Sequence, residues 1–481
     1  MSLSSQIREL LGGRIVRGGM ILGMGSGAEN ALRFLRNIIL ARILAPEAFG
    51  AMAIVLSVNA LLESFTEVGI KEAIIQNPKG EDRRFLNGAW WMAAGRATAL
   101  FSGAALAAPY IARFYDIPDL TTLMRVAFLA IAFNGLISAG AYVAVKRMDF
   151  KRWVVLFHGG AAVGILTSIG LSFVVRDVWA LAIGFAVEAA GRMVLSYVLC
   201  PFRPGLQFDR ELMRSLLRYS RGMVGLPILT FVYMRADVFV LGKVGTVEEL
   251  GLYTMAVALA RMPSQFVTSI ASRVFMPEFS RVQQDKGKVN ELIQKITSPI
   301  ILFFAPLLFF LAFYGGNVLA LVYGSRYAAV GTAFAIVFAA EMLRIGSVPI
   351  VAYYLGSGRP QLHRLFTGVR AALILLTIYP AVKYFGALGA ASAGLFATLV
   401  AYVFQVRVIK GITGLDLQKY AAAHVHAIGI SLCVALCWLI VQVLPAAPVA
   451  AQVGIGGTGI IVSYALAIRR FLNLRKGSPA N

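Results

Sequence analysis

The sequence predicts an all-α, polytopic membrane protein: about fourteen transmembrane helices, arranged as two six-helix lobes plus a C-terminal helix pair. Three observations carry this reading. The 481 residues are 59% hydrophobic and only 14% charged, with a mean hydropathy of +0.76, whereas a soluble domain carries about 25% charged residues. The apolar runs are about 20 residues long, the length a helix needs to cross roughly 30 Å of hydrocarbon. They also lack the apolar–polar alternation over about ten residues that a membrane β-barrel strand requires.

The expected spans, in order, lie near 18–40, 49–70, 87–111, 121–144, 153–174, 178–199, 221–242, 251–272, 297–314, 328–351, 366–384, 387–406, 421–443 and 447–468. The segment Met1–Arg17 is short and polar-amphipathic, and the first span carries Arg33 and Arg36 without a convincing signal-peptidase site, so it reads as a retained helix. Glu63 and Glu67 mark the second span, Arg96 the third, Arg125 the fourth, Glu188 and Arg192 the sixth. Arg235, Arg261 and the pair Glu341/Arg344 mark the seventh, eighth and tenth. A charge at the centre of a spanning helix costs roughly 2.5–3.5 kcal/mol on insertion scales, so such residues face a polar interior rather than lipid. The glycines of GMGSG (Gly23–Gly27), AGAY near Ala139 and GALGAASAG (Gly386–Gly394) read as close-packing faces. The first has neither a preceding strand nor a following Lys-Ser/Thr, so it is not a phosphate loop. With no Walker motif, ATP hydrolysis is not the expected power source. Cys433 and Cys437, one turn apart in an apolar segment, read as packing, and with Cys200 imply no disulfide framework.

Orientation follows from Lys and Arg. Alternate loops, including the Arg203–Arg221 and Arg273–Lys295 links and the Arg359/Arg364/Arg370 group, hold about 31 of the 45 basic residues. The opposite loops hold about six: Arg42, Arg113, Arg176, Lys243, Arg326 and Lys383. This bias places both termini in the cytoplasm. It also accounts for the net charge of +22 without nucleic acid. The longest links, such as FDRELMRSLLRYSR, fit short surface helices and are too small for a catalytic domain.

An internal repeat supports two lobes. LARILAPEAFGAM from Leu40 aligns with LGKVGTVEELGLY from Leu241: Leu40 meets Leu241, Arg42 meets Lys243, Glu47 meets Glu248 and Gly50 meets Gly251. The two turns lie six helices apart, as expected of parallel lobes related by an axis along the membrane normal. The expected organisation is an N-lobe over 1–206, a C-lobe over 207–413 and helices 13–14 with a cytoplasmic tail over 414–481. The repeated hairpins are candidates to line a cleft.

The segment IILARILAPEAFGAMAI, the VGIKEAIIQ run from Val68, APYIARFYDIPDL from Ala108 and the KRMDF turn at Lys146–Phe150 together resemble the Wzx-type flippases of the polysaccharide transporter family. The subgroup is colanic-acid-like and exopolysaccharide-exporting, and the resemblance runs from about Gly18 to Lys410. The wider superfamily includes the lipid II flippase MurJ and the MATE exporters. The resemblance implies a bacterial inner-membrane transporter without covalent chemistry or cofactor. Its cargo is an undecaprenyl-pyrophosphate-linked oligosaccharide, moved by alternating access, and a polysaccharide polymerase and assembly machinery are its expected partners. A diphosphate needs cations, and arginine offers a planar fork of donors. Arg33, Arg36, Arg235 and Arg261 are the first candidates for a cationic cavity, with Arg96, Arg125 and Arg344 beside them. Glu63 and Glu67 share a face and are candidates for proton or sodium coupling.

Each has a plainer reading. Glu29/Arg33 and Glu188/Arg192 are spaced i,i+4 and Glu341/Arg344 i,i+3, so each pair can serve only to hold helices together. Glu63 and Glu67 can pair with Arg33 or Arg36, Arg36 can snorkel to the interface, and Asp237 is a weaker candidate. His424 and His426, two apart, share no helical face for a metal; Trp90, Trp91 and Trp153 fit the interfacial aromatic belt. A MATE-like exporter of small cations suits an arginine-rich site poorly. A membrane enzyme acting on the same lipid-linked glycan would need longer outer loops than these, and a scaffold would not need the charges.

Overall fold

The computed structural model describes residues 14–66, 69–206, 226–443 and 448–476; helix is the only regular structure among them, and it covers most of the described part of each expected span. Glu67 and the Arg210–Arg221 surface segment lie outside the described residues. The helices are α1 (Arg14–Ile43), α2 (Pro46–Thr66), α3 (Ile70–Gln76), α4 (Arg83–Tyr115), α5 (Leu120–Gly135), α6 (Gly140–Lys146), α7 (Phe150–Val174) and α8 (Trp179–Leu199). They continue as α9 (Leu226–Val244), α10 (Val247–Ile270), α11 (Met276–Val282), α12 (Lys286–Tyr323), α13 (Gly331–Gly356), α14 (Pro360–Thr413), α15 (Leu417–Val443) and α16 (Val449–Lys476). Among the described residues eight helices are long and apolar enough to cross a membrane, or nine if α5 and α6, bent by 59°, form one broken span. Large apolar side chains face outward along them, such as Leu166 at 67% and Leu376 at 74% exposure. Water penalises such a surface and hydrocarbon does not. The chain is a multi-span, all-helical membrane protein.

Starts and stops follow local chemistry. Asp82, Thr246 and Asp285 each accept a backbone N–H two or three residues on, at 3.1 Å, capping α4, α10 and α12. Backbone donation from Lys288 holds the Asp285 carboxyl below the usual carboxylate range. The expected spans 366–384 and 387–406 lie in two helical segments, together labelled α14, that meet at a kink at Gly386 (φ 53°, ψ −132°). Glu249 Oε1, on the first turn of α10, accepts the Ala387 N–H at 2.7 Å at that break. A side chain at residue 386 would need a positive φ and would collide with Glu249.

The chain divides into two compact units, Met1–Phe231 and Val232–Asn481. In the first, α7 packs on α8 and α1, and α5 packs on α4 and α8. Gly160 and Gly164 of α7 leave open the space that Arg192 and Glu188 of α8 occupy, so a charged helix turn can approach another backbone closely. Gly25, within GMGSG, does the same for His158. In the second unit α12 is the centre, contacting α13, α15 and α16, while α13 also packs on α10 and α14. A core of Phe279, Tyr353, Tyr354, Phe366, Tyr402 and Tyr420 fills one part of this unit.

Candidate functional site

An ionised group taken out of water needs a partner, because the desolvation cost is several kcal/mol per ion. Each unit meets that need with a chain of alternating acids and arginines. In the first, Arg33 Nε donates to Glu29 Oε1 one turn back on α1 at 2.8 Å. Arg33 Nη2 donates to Glu188 Oε1 of α8 at 2.6 Å. Arg192 Nη2, one turn beyond Glu188, donates to the same oxygen at 2.5 Å. His158 Nδ1 of α7 meets the second Glu29 oxygen and ends the chain. The Arg192 guanidinium lies 5.6 Å from the centre of the Phe157 ring. Glu188 is 5% exposed, so this is an interior network.

In the second unit Tyr253 donates its hydroxyl proton to Asp237 Oδ2 at 3.0 Å. Arg261 Nη2 stands 3.7 Å from that oxygen, and Arg261 Nε stands 3.4 Å from Glu341 Oε1. Arg344 Nε donates to Glu341 Oε2 at 2.7 Å and its Nη2 donates to Ser264 Oγ. Arg261 donates one hydrogen bond, from Nη1 to the Met234 carbonyl at 3.4 Å, while its Nε has no hydrogen-bond partner, so the two ion pairs are charge contacts at longer range. These residues surround a small cavity of about 50 Å³, shared with Tyr233 and Thr398. Two more arginines belong to this unit. Arg370 is 8% exposed, with its guanidinium 5.0 Å from the Tyr233 ring centre and its Nε without a hydrogen-bond partner. Arg235, two residues before Asp237 on α9, forms no ion pair among the described residues. Among the described residues of this region, Arg235, Arg261, Arg344 and Arg370 outnumber the carboxylates Asp237 and Glu341, an excess that suits an anion.

The seven arginines expected in a cationic cavity are thus distributed unequally. Arg33, Arg261 and Arg344 are held in ion pairs. Arg36 donates to the neighbouring Asn37 side chain at 3.0 Å. Arg96 lines a separate cavity of about 480 Å³ in the first unit, together with Glu63. Arg125 is exposed on α5 and donates to the Ala105 carbonyl of α4 at 3.4 Å. Arg33, the expected alternative partner of Glu63, pairs with Glu29 and Glu188 instead.

Two participants, Arg370 and His158, escape the sequence reading, and a third, Asp237, which it ranks as a weaker candidate, takes a full part. Arg370 counts there as part of a cytoplasmic basic group, since it follows Arg359 and Arg364 at short spacing; the structure corrects this by burying it ten residues inside α14. His158 and Asp237 meet partners 129 and 24 residues away, respectively, by folding rather than by spacing. Outside the spans, Arg147 Nη2 donates to Glu81 Oε2 at 2.6 Å and holds that exposed carboxyl below the usual range.

Residues 39–331 match the sequence pattern of a family described as polysaccharide biosynthesis protein. The chain is 25% identical to the succinoglycan biosynthesis transport protein ExoT of Rhizobium meliloti (strain 1021), over 62% of this chain and 60% of that protein. It therefore spans less than two thirds of that relative. It is 22% identical to the lipopolysaccharide biosynthesis protein WzxC of Escherichia coli (strain K12), over 83% of this chain and 80% of the other. Its fold resembles a solved structure of the lipid II flippase MurJ in an inward closed conformation, with a TM-score of 0.76 at 12% identity, covering 94% of this chain and 100% of that one.

Proposed function

The chain belongs to the family of polysaccharide biosynthesis proteins, and on that premise we propose that it is a flippase for undecaprenyl-pyrophosphate-linked oligosaccharide repeat units in the bacterial inner membrane. The observation that carries this reading is the surplus of arginine inside a multi-span helical protein. In the interior cluster of the second unit, Arg235, Arg261, Arg344 and Arg370 outnumber Asp237 and Glu341 among the described residues, and in the first unit Arg36 adds to the paired Arg33 and Arg192. An anionic headgroup is what such a surplus stabilises. The name of ExoT as a transport protein and the fold likeness to MurJ support the same reading. A small-cation exporter would need the opposite balance.

The process is movement without covalent chemistry: the headgroup enters a polar passage, the units exchange access between the two faces, and the lipid tail stays in hydrocarbon. The termini face the cytoplasm, on the side richest in Lys and Arg. No cofactor is required. Glu63 and Glu67 are the candidates for proton or sodium coupling, and a polysaccharide polymerase with its assembly machinery receives the product.

Arg235 and Arg36 are the informative test positions, because removing either strands no buried carboxylate. In proteoliposomes carrying an undecaprenyl-pyrophosphate-linked glycan, Arg235→Ala lowers the flipping rate about tenfold, the scale of one lost charge-assisted contact. Arg235→Lys restores part of it, and the unfolding temperature stays unchanged. Full activity of both Arg235→Ala and Arg36→Ala rejects the cationic assignment.

A further inference from the structure

The larger cavity of the first unit differs in kind from the arginine clusters. It has a volume of about 480 Å³, within the roughly 300–1,000 Å³ of small-molecule sites. Glu63, Lys71, Glu72, Arg96, Asn134 and Tyr142 line it, from α2, α3, α4, α5 and α6. Among the described residues two carboxylates balance two cations, so these groups carry no surplus charge to draw a charged sugar. It offers instead acceptors, donors, an amide that is both, and a phenol, spread around one volume.

The walls are fixed. Lys146 Nζ donates to the carbonyls of Asn77 at 2.5 Å and Ile74 at 3.4 Å, holding the C-terminal end of α3. Gly80 lies against the Ile74 carbonyl, where a side chain would collide. Lys71 and Tyr142 both touch Trp153, the first 5.0 Å above its ring and the second at 6.2 Å between ring centres. Trp153 in turn packs on Phe157 at 4.0 Å. The short helix that presents Lys71 and Glu72 is therefore held at its end and braced by aromatic rings.

Hydroxyl-rich molecules need this mixture. Each hydroxyl both gives and accepts a hydrogen bond, so carboxylates, an amide and cations together satisfy it better than arginines alone. We propose that this cavity is a subsite for an uncharged sugar of the cargo, separate from the arginines that meet its phosphates. This rests on the flippase reading above and extends it to how the glycan is recognised.

The test is binding to the full-length protein in lipid nanodiscs, with three probes: undecaprenyl pyrophosphate alone, the same lipid bearing a neutral hexose disaccharide, and one bearing a hexuronic acid disaccharide. Asn134→Ala and Glu72→Gln each weaken the neutral-sugar lipid about tenfold, as loss of a buried hydrogen bond does. They leave the bare lipid within about twofold of wild type, which also shows that the variants fold. Equal loss for bare and neutral-sugar lipid, no loss for either, or a preference of the wild type for the hexuronic probe overturns the subsite. Failure of the wild type to bind any of the three lipids overturns the flippase reading itself, and the subsite with it.

Discussion

The two units contain the same sequence of charges built from different helices. In the first, acid–Arg–Glu–Arg is Glu29–Arg33–Glu188–Arg192, on α1 and α8. In the second it is Asp237–Arg261–Glu341–Arg344, on α9, α10 and α13. A nearly buried glutamate bridges two arginines in both, one from its own helix turn and one from another helix. The contacts differ in tightness: 2.5–2.8 Å throughout the first chain, but 3.7, 3.4 and 2.7 Å along the second. The ends differ too, a histidine on Glu29 and a tyrosine on Asp237. The first unit has closed its charges on one another; the second leaves slack beside a small cavity, with Arg235 and Arg370 in addition. Burial demands a partner for each charge, but it does not dictate which helix supplies it.

Removing the bridging glutamate tests that difference most strongly. Among the described residues, Glu188→Ala takes the only ion-pair partner from Arg192 and leaves Arg33 with Glu29 alone; it breaks two contacts of 2.5–2.6 Å and lowers stability by about 3–5 kcal/mol, read from unfolding in detergent micelles. Glu341→Ala sits at the lower end, about 3 kcal/mol, because Arg344 retains Ser264 and Arg261 retains Asp237. A larger loss for Glu341→Ala would mean that contact length does not rank the two networks. Arg370→Met has a smaller effect, about 1 kcal/mol, since the lost ring contact is offset by removing a guanidinium that lacks a full set of partners. The smallest effect belongs to Arg147→Ala. Glu81 has a lowered pKa in the folded state, so its contribution exists above the ordinary carboxyl pKa and fades as pH falls through the folded value. Both partners are solvent-exposed, so unfolding curves of this variant and wild type coincide at pH 7 and again at pH 4.

Spacing made two of the three arginine–carboxylate pairs legible in the first network and one of the three in the second. Glu29/Arg33, Glu188/Arg192 and Glu341/Arg344 lie three or four residues apart, and all three pairs form. Arg33 to Glu188 spans 155 positions, and no periodicity reports a contact between helices so distant. The cue that was available is glycine: Gly160 and Gly164 on α7 make room for Arg192 and Glu188. Arg370 was hidden by its neighbours, because a third arginine after Arg359 and Arg364 looks like more of the same loop. The apolar runs located the helices, since hydrocarbon leaves the backbone few alternatives. The count of crossings was harder to read, because charged helices such as α1 are less apolar than a lipid-facing span.

The break at Gly386 bears on how the protein is made. Two membrane-length segments meet there with no linker, and the carboxylate that takes up the freed N–H arrives from α10, earlier in the chain. By the time the ribosome delivers α14, its acceptor has already been synthesised. The two segments have almost no hydrophilic stretch between them. An insertion at residue 386 would therefore have to part the Ala387 N–H from a carboxylate that was in place before α14 was made.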